Sequence, residues 1–133
     1  MDTGPALVSI LRQGPYLIAS IHVALDDSQL IKFQQDLIHQ IGQYRSRGVI
    51  IDVAALDVLD SFAARTLRNI AEMARLRGAI TTIAGIQPDV AFAMVELGLD
   101  TGSVHTALDL EGALEYLAGI NHNTRPLRQR SGR

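Results

Sequence analysis

The run Val49-Ile50-Ile51-Asp52-Val53 lies between two stretches of helical periodicity, and this arrangement constrains the chain more than any other feature. Its aliphatic residues are all β-branched and do not alternate with polar ones. A strand of that kind is covered on both faces, as in the middle of a parallel sheet. Upstream, Leu30, Phe33, Leu37, Ile41 and Tyr44 recur at helical spacing, with Ile38 widening the stripe. They predict an amphipathic helix of about four turns. Asp26-Asp27-Ser28 supplies N-cap candidates, and Gly48 ends the connection to the strand. Downstream, Ser61 to Arg77 predicts a second long helix, with Gly78 as its stop.

The rest of the chain extends this alternation. Leu7 to Leu11 and Tyr16 to Ile21 flank the turn signal Gly14-Pro15 and predict a hairpin. Ile80 to Ala84 is a further strand. Pro88 opens a third helix over Asp89 to Leu97, and Gly98 closes it. Val104 to Ala107 is a short last strand, and Asp109 caps a final helix to about Leu117. The order β-β-α-β-α-β-α-β-α gives an α/β fold: one domain, an about five-stranded, mostly parallel sheet and about four helices.

Composition agrees. A chain of 133 residues fits one domain, and its few aromatics and lack of tryptophan make the core aliphatic. The absence of cysteine excludes disulfides, thiolate metal sites and cysteine nucleophiles, and fits a reducing compartment. Met1-Asp2-Thr3-Gly4-Pro5 has no basic region before a long apolar run, and no stretch is long enough to span a membrane. The net charge of −2 hides an asymmetry. Residues 121–133 carry Arg125, Arg128, Arg130 and Arg133 and no acid, which leaves eight basic residues against fourteen acids in the body. So acidic a body argues against nucleic acid as a partner. The basic tail is either a flexible solubilising segment or a contact for RNA, an acidic partner or an anionic surface.

Enzymatic signatures are sparse. His22, His39, His105 and His122 do not pair at metal-ligand spacing, and neither a G-x-S-x-G elbow nor a phosphate-binding glycine loop occurs. No cofactor or metal is expected. Asp57 and Asp60 are three apart, as an acid–base pair could be, but an Asp before a helix is commonly a cap.

The segment Val49 to Arg77 carries the functional signal. With Asp60 as N-cap, Ser61 lies in the first turn of the second helix, near unpaired backbone N–H groups and the positive end of the helix dipole. A phosphate on Ser61 is favoured by both. At 100° per residue, Ser61, Arg65, Arg68, Glu72 and Arg75 fall within about 40° of one line, and Ala63, Leu67, Ile70 and Ala74 fall opposite. The first stripe therefore faces solvent and the second the sheet. Arg65, one turn on, can pair with a phosphate, while Asp57 and Asp60 surround the serine with negative charge. Two readings stand on these residues alone: a modifiable switch, or a serine that shares the cap with Asp60 beside a solvated arginine face.

The run Ile51-Asp52-Val53, then Leu56-Asp57-x-x-Asp60-Ser61-Phe62-x-Ala64-Arg65-Thr66-Leu67, resembles the switch region of STAS domains, the anti-sigma-factor-antagonist family. The D-S-F-x-A-R-T-L form is similar to the stressosome scaffold proteins of the RsbS type, rather than to the D-S-S-G-L form of sporulation antagonists. Ala84-Gly85-Ile86-Gln87-Pro88-Asp89-Val90-Ala91 resembles the same family's turn into its third helix. The resemblance spans residues 5–118 and leaves 119–133 as a basic tail. It implies a STAS fold, no catalysis, and phosphorylation at Ser61. It also implies a large cytoplasmic complex with paralogous scaffold proteins, which holds a serine/threonine switch kinase until that phosphorylation releases it. A sporulation-type antagonist binding an anti-sigma kinase, or a small nucleotide-binding module at Asp57, Asp60 and Ser61, are the alternatives.

The third helix is apolar on nearly every side. Either it is deeply buried, or one side meets another subunit. Phe92 and Met94 do not fit one core stripe with Val90 and Leu97 and are the candidates for contact. With Asp57, Asp60, Phe62, Arg65 and Arg68 they make up the expected partner surface.

Overall fold

The computed structural model describes residues 6–99 and 104–123. β1 (Val8–Gln13) and β2 (Tyr16–Ile21) form the antiparallel hairpin, turning at Gly14, whose φ is 59°. α1 (Asp27–Tyr44), β3 (Gly48–Asp52), α2 (Ser61–Leu76), β4 (Ile80–Ala84), α3 (Pro88–Glu96), β5 (Val104–Ala107) and α4 (Leu110–Asn123) follow in the expected alternation. β2 to β5 are parallel, and the spatial order is simply β1-β2-β3-β4-β5.

That order decides where the helices go. Each crossover adds its strand on the same side of the last one, and right-handed crossovers then put all three connecting helices on one face. One core accordingly joins Phe33 and Leu37 of α1, Leu67 and Ile70 of α2, and Val90 and Met94 of α3 to Leu17, Val49, Ile51 and Ile83 of the sheet. α4 follows the last strand and covers the other face, where Ala113 and Leu117 pack on Tyr16, Ile18, Ile50 and Ala84. β3 is buried on both sides. Among the described residues no helix is long and apolar enough to cross a membrane.

Boundaries differ from expectation where local geometry decides them. Gly48 does not end the connection. It is the first residue of β3, and a Cβ there would come within 2.9 Å of Leu117 Cδ1 and 3.0 Å of Tyr16 Cδ1. The reversal after α1 is made instead by Arg45, in the left-handed region with φ 51°. α4 continues past Leu117 to Asn123, across the residue at which the basic tail is expected to start. The arginines of that tail lie outside the described residues.

α1 begins with a complete capping box. Asp26 Oδ1 accepts from the Gln29 N–H at 2.8 Å, and the Gln29 side chain accepts from the Asp26 N–H at 2.9 Å. The backbone N–H of Gln29 first, and then the Ser28 hydroxyl, hold the Asp26 carboxyl below its ordinary value. A carboxyl depressed by folding stabilises the protein above its unfolded pKa, and that contribution fades as pH falls through the folded pKa. Asp26→Ala should therefore lose stability at pH 7 and narrow its difference from wild type toward pH 3. Urea titrations at the two pH values give the comparison; a constant difference contradicts it.

β4 carries a cost the hydrophobic pattern does not show. Thr81 and Thr82 are buried, and neither hydroxyl has a hydrogen-bond partner among the described residues. Strand alternation turns Thr82 toward the α4 face, with Ala84. An unsatisfied buried hydroxyl costs about 1–3 kcal/mol, so Thr82→Val should raise stability by about 1 kcal/mol. An unchanged or lower urea midpoint would count against this account of the strand.

Candidate functional site

β3 delivers the site. Its last residue, Asp52, accepts the Ala54 N–H on Oδ1 at 2.9 Å, and Val53 N–H donates to Ala84 O at 3.0 Å as the chain leaves the sheet. Leu56 N–H closes a turn on Val53 O at 2.9 Å. Leu56 and Leu59 are buried and pin the loop to the core, whereas Asp57, Val58 and Asp60 between and after them are exposed. The loop is thus two aliphatic anchors carrying an acidic, solvent-facing strip.

A second tether comes from across the sheet. Gln87, which precedes α3, donates from Nε2 to Ala54 O at 2.7 Å. Gly85, with φ 77°, lies so close to Ala54 that a Cβ would stand 2.9 Å from Ala54 Cβ and 3.2 Å from Ala54 Cα. The β4–α3 connection therefore fixes the β3–α2 loop. No reading of the sequence assigned Gln87 or Gly85 a role here. The partners are 33 residues apart for the hydrogen bond, and no local pattern reports such a contact.

α2 starts as its sequence predicts. Asp60 is extended, and its Oδ1 accepts the Ala63 N–H at 2.8 Å. Ser61 is the first helical residue and is exposed. With Asp60 occupied on Ala63, the Ser61 hydroxyl is presented to solvent at the positive end of the helix. Arg65 is exposed too, and its guanidinium carbon lies 5.9 Å from the centre of the Phe62 ring. A cation–π contact with Phe62 steadies it, one helical turn beyond Ser61. Arg68 is half-buried beside it, and Arg75 pairs with Glu72 at 3.1 Å. Ala64, Leu67, Ile70, Ala71 and Ala74 are buried and Ala63 partly so, which fixes the stripe outward.

The structure therefore brings Asp57, Asp60, Ser61, Phe62, Arg65 and Arg68 onto one surface at the start of α2. Phe92 is separate, on α3, and 73 % exposed. Met94 does not share that exposure. It is 4 % exposed and packs with Val90, because residues four apart share a helix face. Met94 is thus a core residue, and the expectation that it forms part of a contact surface is corrected. The exposed partner of Phe92 is Val95, 63 % exposed, with Leu108 at 93 %. Deep burial of α3 is excluded in the same way: one side enters the core and the other is bare.

Comparison with known proteins agrees with this geometry. RsbRA, the RsbT co-antagonist protein of Bacillus subtilis, is 30 % identical over 91 residues, 68 % of this chain and 33 % of that protein. The chain thus spans about a third of the length of that relative. Among solved structures, an RsbS of Moorella thermoacetica bearing a serine-to-glutamate substitution is 36 % identical with a TM-score of 0.79, covering 88 % of this chain and 99 % of its own. A chain of the stressosome, a signal integration and transduction hub, is 34 % identical with a TM-score of 0.70, over 85 % and 98 %. The sequence matches the STAS domain over residues 8–113, and the chain belongs to the STAS domain family.

Proposed function

We propose that this domain is a non-catalytic stressosome scaffold and antagonist, switched by phosphorylation of Ser61. Together with paralogous STAS proteins it holds a serine/threonine switch kinase, and the phosphate releases it. The observation that carries this reading is the presentation of Ser61: exposed and first in its helix, directly after a loop held by Gln87 on Ala54 and by the buried Leu56 and Leu59. A kinase must reach the hydroxyl, and a docking surface must hold its shape until the charge arrives. The likeness to RsbS and to RsbT co-antagonists supports the choice of kinase and assembly. An enzyme or nucleotide site would enclose Asp57, Asp60 and Ser61, and all three are exposed.

Phe62, Arg65 and Arg68 flank the serine and form the rest of the kinase-facing surface. The bare side of α3, with Phe92 and Val95, is the surface for other STAS subunits, since an exposed apolar patch of this kind is usually covered in an assembly. Such a complex works in the cytoplasm.

The test is direct. Incubate the protein with its switch kinase and ATP and map the phosphate by mass spectrometry. One phosphate on Ser61 and none in Ser61→Ala is the expected result. A phosphate retained by Ser61→Ala sinks the assignment.

A further inference from the structure

The end of the sheet opposite Ser61 carries an arginine cluster that the switch does not use. The α1–β3 connection Arg45-Ser46-Arg47, the end of α2 at Arg77-Gly78, and Ile41 and Gly42 of α1 line one open pocket of about 540 Å³. Three arginines line it. The ion pairs Lys32–Asp36 and Glu72–Arg75 involve none of them. Ser46 lines the same pocket at 4 % exposure, and no hydrogen bond ties its hydroxyl to a described residue.

Two local costs accompany the cluster. Arg45 is the one non-glycine at positive φ among the described residues, at a helix end where glycine is the unstrained choice. Gly42 interrupts the last turns of α1, where glycine weakens a helix, and a Cβ there would collide with Arg77 Nη2. Gly42 thus leaves the space in which the Arg77 guanidinium lies. Arg47 is held from both sides: its N–H donates to Pro15 O at 2.8 Å, and its carbonyl accepts from Ile80 N–H at 3.1 Å.

The arginines have a plainer use, as counter-charges to the C-terminal ends of α1 and α2. Each helix end is worth about half a negative charge, so together they offset about one of the three guanidinium charges. Arg47 moreover belongs to neither helix. We propose that the pocket is a binding site for a phosphoryl oxyanion, with Arg45, Arg47 and Arg77 donating from guanidinium N–H groups and Ser46 from its hydroxyl. The oxyanion is either a free phosphate species or the phosphoserine of the switch segment on a second copy of this chain. The domain's own Ser61 is at the far end of the sheet, since the pocket adjoins the starts of the parallel strands β3 and β4 and the switch loop follows the end of β3. Only the second source rests on the reading of Ser61; the first stands without it.

The experiment titrates the nitrogen-15-labelled chain of 133 residues with inorganic phosphate, at an ionic strength held constant with sodium chloride. Saturable shifts at the amides of Ser46, Arg47, Arg77 and Gly78 are expected, weakened at least tenfold in Arg45→Gln/Arg77→Gln. Arg45→Gly relieves the backbone strain, so it should stay folded and still lose affinity several-fold, which separates binding from folding. A second titration uses the peptide of residues 55–67 phosphorylated on Ser61. Tenfold tighter binding than phosphate supports the second copy as source; equal affinity supports a free oxyanion. Shifts that are linear and equally produced by chloride overturn the proposal, as does saturable binding that survives Arg45→Gln/Arg77→Gln.

Discussion

Ser61→Asp is expected to lower affinity for the switch kinase at least tenfold while leaving the stability of the domain within about 0.5 kcal/mol of wild type. The two halves have separate causes. A carboxylate at the first position of α2 gains from the helix dipole, by about 0.3–1 kcal/mol at an exposed site. It also meets Asp60, directly before it, and Asp57 on the same exposed loop, and like charges offset that gain. The folded state is therefore nearly indifferent. A partner that docks on Ser61, Phe62 and Arg65 is not, because the new charge must be desolvated in the interface. Tenfold corresponds to about 1.4 kcal/mol, a modest demand for a misplaced charge. Phosphate brings about −1.5 to −2 and should act more strongly. Calorimetry with the purified kinase, paired with urea unfolding, reads both quantities. Unchanged kinase affinity argues against a charge switch, whatever happens to stability.

Gly85→Ala should be the most damaging of the small substitutions, at about 2–5 kcal/mol. An L side chain at φ 77° is strained by about 1–2 kcal/mol. The remainder comes from contact: the new Cβ would stand 2.9 Å from Ala54 Cβ, 3.2 Å from Ala54 Cα and 3.2 Å from Asp52 Oδ1. Overpacking of this sort adds about 1–3 kcal/mol. Ala54 cannot retreat freely, because Gln87 holds its carbonyl and Asp52 its N–H. Gly14→Ala and Gly78→Ala make the controls. Both positions have positive φ, but a Cβ there meets nothing within 4 Å. They should cost only the strain. Urea unfolding of the three variants decides the matter; equal losses would show that backbone strain alone, not the approach of the two loops, is what Gly85 relieves.

The sequence determined most of the architecture, and the reason is local. Helical spacing from Leu30 to Tyr44, the β-branched run at Val49 and the caps at Asp26, Asp60 and Asp109 each act within a few residues, where propensity and pattern dominate. The place of Ser61 in the first turn of α2 followed from the same short-range rules, as did the exposure of Arg65. The physics of those residues left a switch and a simple cap both open. The family resemblance favours the switch, and it rests on the sequence alone.

What tertiary structure decided lies between distant segments. Met94 and Phe92 are equally apolar, and only the angle at which α3 meets the sheet buries one and bares the other. The clasp of Gln87 on Ala54 exists because β3 and β4 are neighbours in the sheet. Gly48 is needed because α4, almost seventy residues later, lays Leu117 against it. The pocket of Arg45, Arg47 and Arg77 joins the ends of two helices whose meeting no spacing in the chain encodes. Periodicity says which residues share a face. It does not say what that face meets, since long-range contacts are set by packing the whole chain at once.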